Sequence, residues 1–373
     1  MKSEYILFSE EAEDLPKDFE QHLAVINADV KAFVERSRSV SNTNHHTRDA
    51  HAKGYAALKA EFTILDNLPD ELAQGIYANP GKHEAVVRFS NGAARVSTDR
   101  FTGNAQGLAI KVFDVPGKKL APEEEDSTNV DFNLINHPIF FCNSSKDYMF
   151  IDKLFHKLHE YFGKGTWGKI ELAYMWTTEM GKAFPSRNTL NELKALLSFQ
   201  DIKSQNTLLY NFYSMGAVRH GDYIAKIRVR PADESVKNVA QKEVDINKDD
   251  EAYRKSILET IRRQDFKFEF QIQLCKDLKK MHVNDLTVEW PRELSPFQTI
   301  AELYIPRQEV DDDGNFEIME HLSFTPFRCL EANRPMGDLQ MARLKAYQIS
   351  SETRHRLNGR ERKEPQTLKE LFG

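Results

Sequence analysis

Only three cysteines occur among the 373 residues, Cys142, Cys275 and Cys329. They show no metal-binding spacing, and so few suit a reduced compartment better than a disulfide scaffold. No apolar run approaches the roughly 20 residues needed to span a bilayer. The N-terminus, Met-Lys-Ser-Glu-Tyr-Ile-Leu-Phe-Ser-Glu-Glu, turns acidic before a long apolar segment develops, so it reads poorly as a signal peptide. Basic residues are not in excess. The net charge of −6 and a pI near 6.1 point away from nucleic acid or an anionic membrane as the main partner. Internal repeats and glycine-rich phosphate loops are also missing. What remains is the expectation of a cytoplasmic protein with no integral membrane association, long enough for one large core or two domains.

Periodicity supplies the organisation. Phe19, Leu23, Ile26, Val30, Phe33 and Val34 recur at helical spacing and predict an N-terminal helix over 17–37. Residues 40–47, with His45 and His46, read as a polar loop. From His51 to about Phe141 the pattern becomes short strands. Ala85–Ser90 and Leu108–Phe113 are among them, punctuated by Gly92, Gly103, Gly107 and Gly117. Glu123–Asp126 is expected to be a solvated acidic loop. Residues 146–200 are helical in period and carry Trp167 and Trp176. Strands are then expected at Tyr223–Arg230, Phe266–Leu274, Leu286–Trp290 and Thr299–Tyr304. The strict alternation of Phe266–Leu274 predicts one wet and one buried face, as on a barrel wall. A helix is expected over 336–357, and the charged tail from Arg360 is expected on the surface. The order of elements is that of an α+β protein.

The densest chemistry lies in Arg343-Leu-Lys-Ala-Tyr347, followed by Arg354. On a helix, positions i, i+4 and i+11 share a face, which sets one tyrosine among cations. Tyrosine ordinarily ionises near pH 10, and neighbouring positive charge favours the phenolate. A phenolate is a hard anionic ligand for ferric iron. An amphipathic surface helix with a half-buried tyrosine would also account for this motif alone.

Four upstream segments bear on that choice. They are Arg48-Asp-Ala-His51-Ala-Lys-Gly54, Val87-Arg88-Phe89-Ser90, Asn104-Ala-Gln-Gly107-Leu-Ala109-Ile-Lys111, and Asn136-His-Pro138-Ile-Phe140-Phe141. With the tyrosine motif they resemble, in order, five segments of the haem catalases. The resemblance implies an antiparallel eight-stranded β-barrel with surrounding helices and a haem b cofactor. It implies residues 1–47 as an N-terminal helix and arm, 48–359 as the haem domain and 360–373 as a charged tail. Because the chain stops soon after the tyrosine helix, it looks like the compact branch of catalase-like peroxidases and allene-oxide-forming haem domains. The parts that interlock the subunits of large tetrameric catalases are reduced, which leaves homo-oligomerisation open.

Carried over residue by residue, the resemblance implies Tyr347 as the iron ligand, supported by Arg343, and His51 as the distal acid–base group. Arg48, Arg88 and Arg354 match arginines that neutralise haem propionates or the proximal side. Phe141 and Tyr148 are candidates to pack on the haem face. The family's distal asparagine lies three residues before the proline of the F-F segment, and here that position is Ile135. Asn136 is the nearest amide and is taken as the second catalytic residue, with Asn133 the other one available. Ala50 replaces the valine or threonine that usually precedes the histidine, leaving more room above the iron. The expected activity is O–O cleavage of an organic or fatty-acid hydroperoxide. Hydrogen peroxide is the alternative substrate, and a haem carrier or sensor is the non-enzymatic alternative.

Overall fold

The computed structural model describes residues 4–151, 161, 164–175, 178 and 189–373. Nine strands form one antiparallel sheet: β1 (Gly54–Ile64), β2 (Gly81–Asn91), β3 (Gln106–Val112), β4 (Val130–Ile135), β5 (Phe212–Ser214), β6 (Val218–His220), β7 (Tyr223–Pro231), β8 (Phe266–Leu274) and β9 (Gln298–Ile305). β1 pairs with β9 on one side and β2 on the other. The pairing runs on through β3, β4 and β5, and β5 joins β7, which leads through β8 back to β9. Eight strands therefore close into a barrel, and β6 is a short hairpin partner of β7 outside the ring. The expected fold is the observed one.

Alternation decides what lies inside. Inward positions are apolar: Leu58 and Phe62 on β1, Val87 and Phe89 on β2, Phe132 and Leu134 on β4, Phe268 and Phe270 on β8. Aromatic rings fill the middle, with Phe132 4.9 Å and Phe62 5.2 Å from Phe270 between centroids. The interior is a packed core. Neighbours in register share a face. The outer wall of β2–β3–β4 thus carries two rows, Arg88–Ala109–Asn133 and Ser90–Gly107–Ile135.

The longer helices pack around this wall: α1 (Phe19–Ser41), α2 (Gly165–Met175), α3 (Thr189–Ser198), α4 (Ala252–Arg263), α5 (Asp312–His321) and α6 (Asp338–Leu357). Leu23, Ile26 and Val30 of α1 meet Ala342, Ala346 and Ile349 of α6. Trp176 lies outside the described residues, and Trp167 on α2 is exposed. Among the described residues no helix is long and apolar enough to cross a membrane.

Some expectations fail for reasons visible in the packing. Leu286–Trp290 is irregular, because its polar groups bond locally and to loops rather than to a strand. The Leu286 N–H donates to Asn143 Oδ1, and Trp290 Nε1 donates to the His282 carbonyl. This segment covers the end of β8, so the outward Gln273 is buried rather than wet, and Gln271 is buried among Arg228 and Thr299 of the neighbouring strands and Glu269 of its own. Gln273 donates to the carbonyls of Trp290 and Ser295. Glu124, in the acidic loop, is not free in solvent but bridges Arg328 and Arg362.

The tail is also anchored. Glu364 enters a buried ion cluster on the outer wall, where Lys111 and Arg328 are shared between Asp131 and Glu364. Burial would raise the Glu364 carboxyl, but Lys111 and Arg328 hold it down to about 2. Its folded-state pKa lies below the unfolded value near 4.5, so its stabilisation is complete above that pH and is lost as pH falls toward 2. Glu364→Gln should cost about 3–5 kcal/mol at neutral pH, because it leaves two buried cations short of a partner. Denaturant melts at pH 7 and pH 3 should show the loss shrinking in acid. An equal loss at both would contradict the assignment.

Candidate functional site

The segment before β1 is pinned on every side. Ala52 N–H donates to Ala93, and Lys53 accepts from Asn91 N–H at its carbonyl. Lys53 Nζ is buried and fully engaged, with Asp99 at 2.8 Å, Glu251 at 2.9 Å and the Asp250 carbonyl at 2.9 Å. Arg88 Nη2 donates to the His51 carbonyl at 2.9 Å. Asp49 accepts from the Ser350 hydroxyl of α6 at 2.5 Å, and burial raises its carboxyl. Held this way, His51 sits at φ 53°, a left-handed conformation uncommon for a non-glycine residue.

The imidazole of His51 lies directly on Gly107. A Cβ at Gly107 would come within 2.5–2.6 Å of the ring, so only glycine fits. His51 Nδ1 is 2.6 Å from the Asn91 carbonyl and 3.2 Å from the Ser90 hydroxyl. A carbonyl can only accept, so Nδ1 carries the proton in that pair and the neutral ring leaves Nε2 free to accept one. Burial, then the charges of Arg88, Arg343 and Arg48, lower its pKa to about 4, against the opposing Asn91 hydrogen bond. The Ser350–Asp49 hydrogen bond brings α6 up against the His51 segment.

On α6, Arg343 Nη2 donates to Tyr347 Oη at 2.9 Å, and its guanidinium carbon is 5.0 Å from the tyrosine ring centre. Arg343 Nη1 donates to Gln340 at 2.6 Å. Arg343, Gln340 and Asn133 line one cavity. Ala109, Asn133 and Ile135 are the half-buried outward positions in the otherwise buried β3 and β4.

Arg48, Arg88 and Arg354 converge at the other end of α6. Glu320, closing α5, accepts from Arg48 at 3.0 Å and from Arg354 at 3.4 Å. Both arginines also donate to the Leu322 carbonyl. Among the described residues Arg88 has no carboxylate partner, and the buried Nε atoms of Arg88 and Arg354 have no hydrogen-bond partner. Burial would raise Glu320, yet Arg48, Arg354 and Arg88 hold it at about 2.

The segments brought together are therefore those of His51, Arg48, Arg88, Arg354, Arg343 and Tyr347. Asn136 is not among them. Its Oδ1 accepts from Gln106 N–H and its Nδ2 donates to the Asn104 carbonyl, each at 2.8 Å, so its amide is a strut between the ends of β3 and β4. The side chain sharing the row of Gly107, and hence flanking His51, is Ile135. Asn133, one row away, has a buried Oδ1 with no partner among the described residues. Phe141 is committed to an aromatic cluster, 4.2 Å from Phe140 and 5.4 Å from Phe199. Tyr148 is half-buried between that cluster and the α1–α6 contact. Sequence reasoning missed Glu320. The one available signal was a glutamate between apolar Met319 and Leu322, at a helix end.

A neutral, Nδ1-protonated His51 should show no titration between pH 5 and 8 by NMR of its ring protons. A midpoint near 6.5 would mean the ring is solvated and the buried geometry is wrong.

Comparison with known proteins follows the same line. The catalase family model matches residues 24–364. Among solved structures the chain is similar to a fungal catalase, at TM-score 0.63 and 15% identity, covering 85% of this chain and 60% of that one. It is similar to catalase A from Saccharomyces cerevisiae, at TM-score 0.63 and 15% identity, covering 89% of this chain and 69% of that one. A bacterial catalase matches at TM-score 0.61 and 14% identity, covering 90% and 63%. The chain thus spans 60% of the length of the first of these structures, and at such identity the likeness concerns the fold. No curated protein matches the chain significantly.

Proposed function

This chain belongs to the catalase family, whose members bind haem b, and on that premise we propose that it is a haem-dependent enzyme cleaving the O–O bond of an organic or fatty-acid hydroperoxide. It would act as a peroxidase or as a hydroperoxide isomerase or dehydratase. The residues fit the cofactor. Two buried guanidiniums, Arg88 and Arg354, and the half-buried Arg48 face one carboxylate, and the two buried ones keep an unpaired Nε among the described residues, which suits a group bearing two carboxylates. Arg48, Arg88 and Arg354 would hold the propionates. Tyr347 would ligate the iron, with Arg343 steadying its oxygen by a charge-assisted hydrogen bond. Bound haem supplies the redox-active iron at which a peroxide bond is broken.

The protein's share is proton handling and space. His51 presents an unprotonated Nε2, so it takes the proton from the proximal oxygen of the peroxide and returns it to the departing oxygen. Its Nδ1–H remains on the Asn91 carbonyl throughout, which keeps the ring in one tautomer. A carrier would have no use for such a base.

Ile135 carries the choice of substrate. Where the family has an amide donor beside the histidine, this chain has an aliphatic wall, and Asn136 cannot substitute because its amide is spent on backbone. Disproportionation of hydrogen peroxide requires a second small peroxide to be oriented by hydrogen bonds, and loss of one fixed donor harms that step most. An aliphatic side chain in place of that donor, with the small Ala50 before the histidine, favours an acyl-bearing peroxide.

Tyr347→Phe should lose stable haem binding, and an unchanged ferric spectrum would remove Tyr347 as the ligand. His51→Ala should keep haem and slow peroxide cleavage about 100- to 10,000-fold. Turnover at the wild-type rate would remove the histidine from the mechanism.

Ile135→Asn should raise oxygen release from hydrogen peroxide relative to organic hydroperoxide consumption, at equal haem content. A wild-type enzyme that releases oxygen rapidly and ignores the organic substrate would replace the organic hydroperoxide with hydrogen peroxide as the substrate.

A further inference from the structure

The arginine cluster contains one group for which the proposed reaction has no use, the carboxylate of Glu320. It is buried, 4% exposed, and it is the only carboxylate that pairs with Arg48 or Arg354 among the described residues. The other charges nearby are accounted for. Arg360 is matched by Glu317 at 2.8 Å. Asp49 accepts from the Ser350 hydroxyl and forms no ion pair with these arginines among the described residues. His45, half-exposed against Phe316, has its pKa lowered by burial, against the opposing pull of Glu320 and with the surrounding arginines adding to the shift. The cluster therefore holds three guanidiniums and one carboxylate, a net charge of about two positive.

Resting on the haem reading above, we propose that Glu320 is a positioning residue that stands in for an anionic ligand before the cofactor arrives, reducing the arginine cluster to the charge that one dianionic haem neutralises. Without Glu320, three guanidiniums would repel one another in a site with little water, and burying unpaired cations is costly. With it, Arg48 and Arg354 are held on a common frame, Glu320 and the Leu322 carbonyl, before anything binds. The unpaired Nε atoms of Arg88 and Arg354 stay available. The same carboxylate repels incoming propionates, so it trades some cofactor affinity for a site that is ordered when empty. A fourth cation or a second carboxylate in the cluster would each spoil the match.

The experiment compares haem with haem dimethyl ester, whose propionates carry no charge, binding to apo-protein by absorbance titration. Wild type should bind haem more tightly than the ester. If wild type binds neither, the haem reading itself fails. Glu320→Gln should raise the haem-over-ester preference about tenfold, as expected for removing one nearby repulsive charge in a partly buried site. It should lower the melting temperature of the apo-protein more than that of the haem complex. An unchanged preference, with equal losses in both forms, would overturn the proposal and make Glu320 an ordinary structural bridge.

The combination of Glu320→Gln with Arg48→Gln restores the net charge and removes both partners of the bridge, so it serves if the single variant does not fold. Its preference should return to within a few-fold of wild type, whereas Arg48→Gln alone should fall about tenfold below. A double variant as low as Arg48→Gln alone would equally overturn the charge match.

Discussion

Closure of the barrel by β5 against β7 is the constraint on which everything else depends. It removes free strand edges from the ring and commits one face of each strand to a core of aromatic and aliphatic side chains. With the interior filled, polar chemistry has only the outer wall to use. β2, β3 and β4 present it there in rows fixed by register, and the helices that cover the wall must bring matching charge.

Two buried ionic assemblies result, at different heights on one wall. Lys111, Asp131, Arg328 and Glu364 are balanced among themselves and need nothing further. The group of Arg48, Arg88, Arg354 and Glu320 keeps an excess of positive charge. The contrast separates a self-balanced cluster from one with positive charge to spare, although the residue types are the same. His51 lies one row beyond Arg88, on Gly107, pinned by strand-end loops, while the Arg343–Tyr347 pair is set by one helix face.

Much of this could be read before the fold was known. The five segments lie far apart in sequence, yet four of them are β-strands or strand ends whose parity alone puts Arg88 with Ser90, and Gly107 with Ala109, on a common side. Helical spacing likewise set Arg343 beside Tyr347. What could not be read depends on who covers whom. Leu286–Trp290 has a strand's composition but gives its hydrogen bonds to Asn143 and His282. Asn136 has the right chemistry for a distal donor but spends it on the backbone of Asn104 and Gln106. Glu320 belongs to no motif, because its meaning comes from arginines some 30 and 270 positions away. Parity and periodicity are local properties, whereas the partner of a buried polar group is a tertiary one.

The anchoring of Glu364 has a consequence for biosynthesis. β3 and β4 leave the ribosome more than two hundred residues before Glu364 does. Arg328 also emerges well ahead of it. Until Glu364 follows, Lys111 and Arg328 have Asp131 and Glu124 as their carboxylate partners among the described residues. The nascent barrel can bury its aromatic interior while the chain is still being made. Its outer wall becomes charge-complete only after synthesis has passed residue 364, so this late segment seals strands made more than two hundred residues earlier.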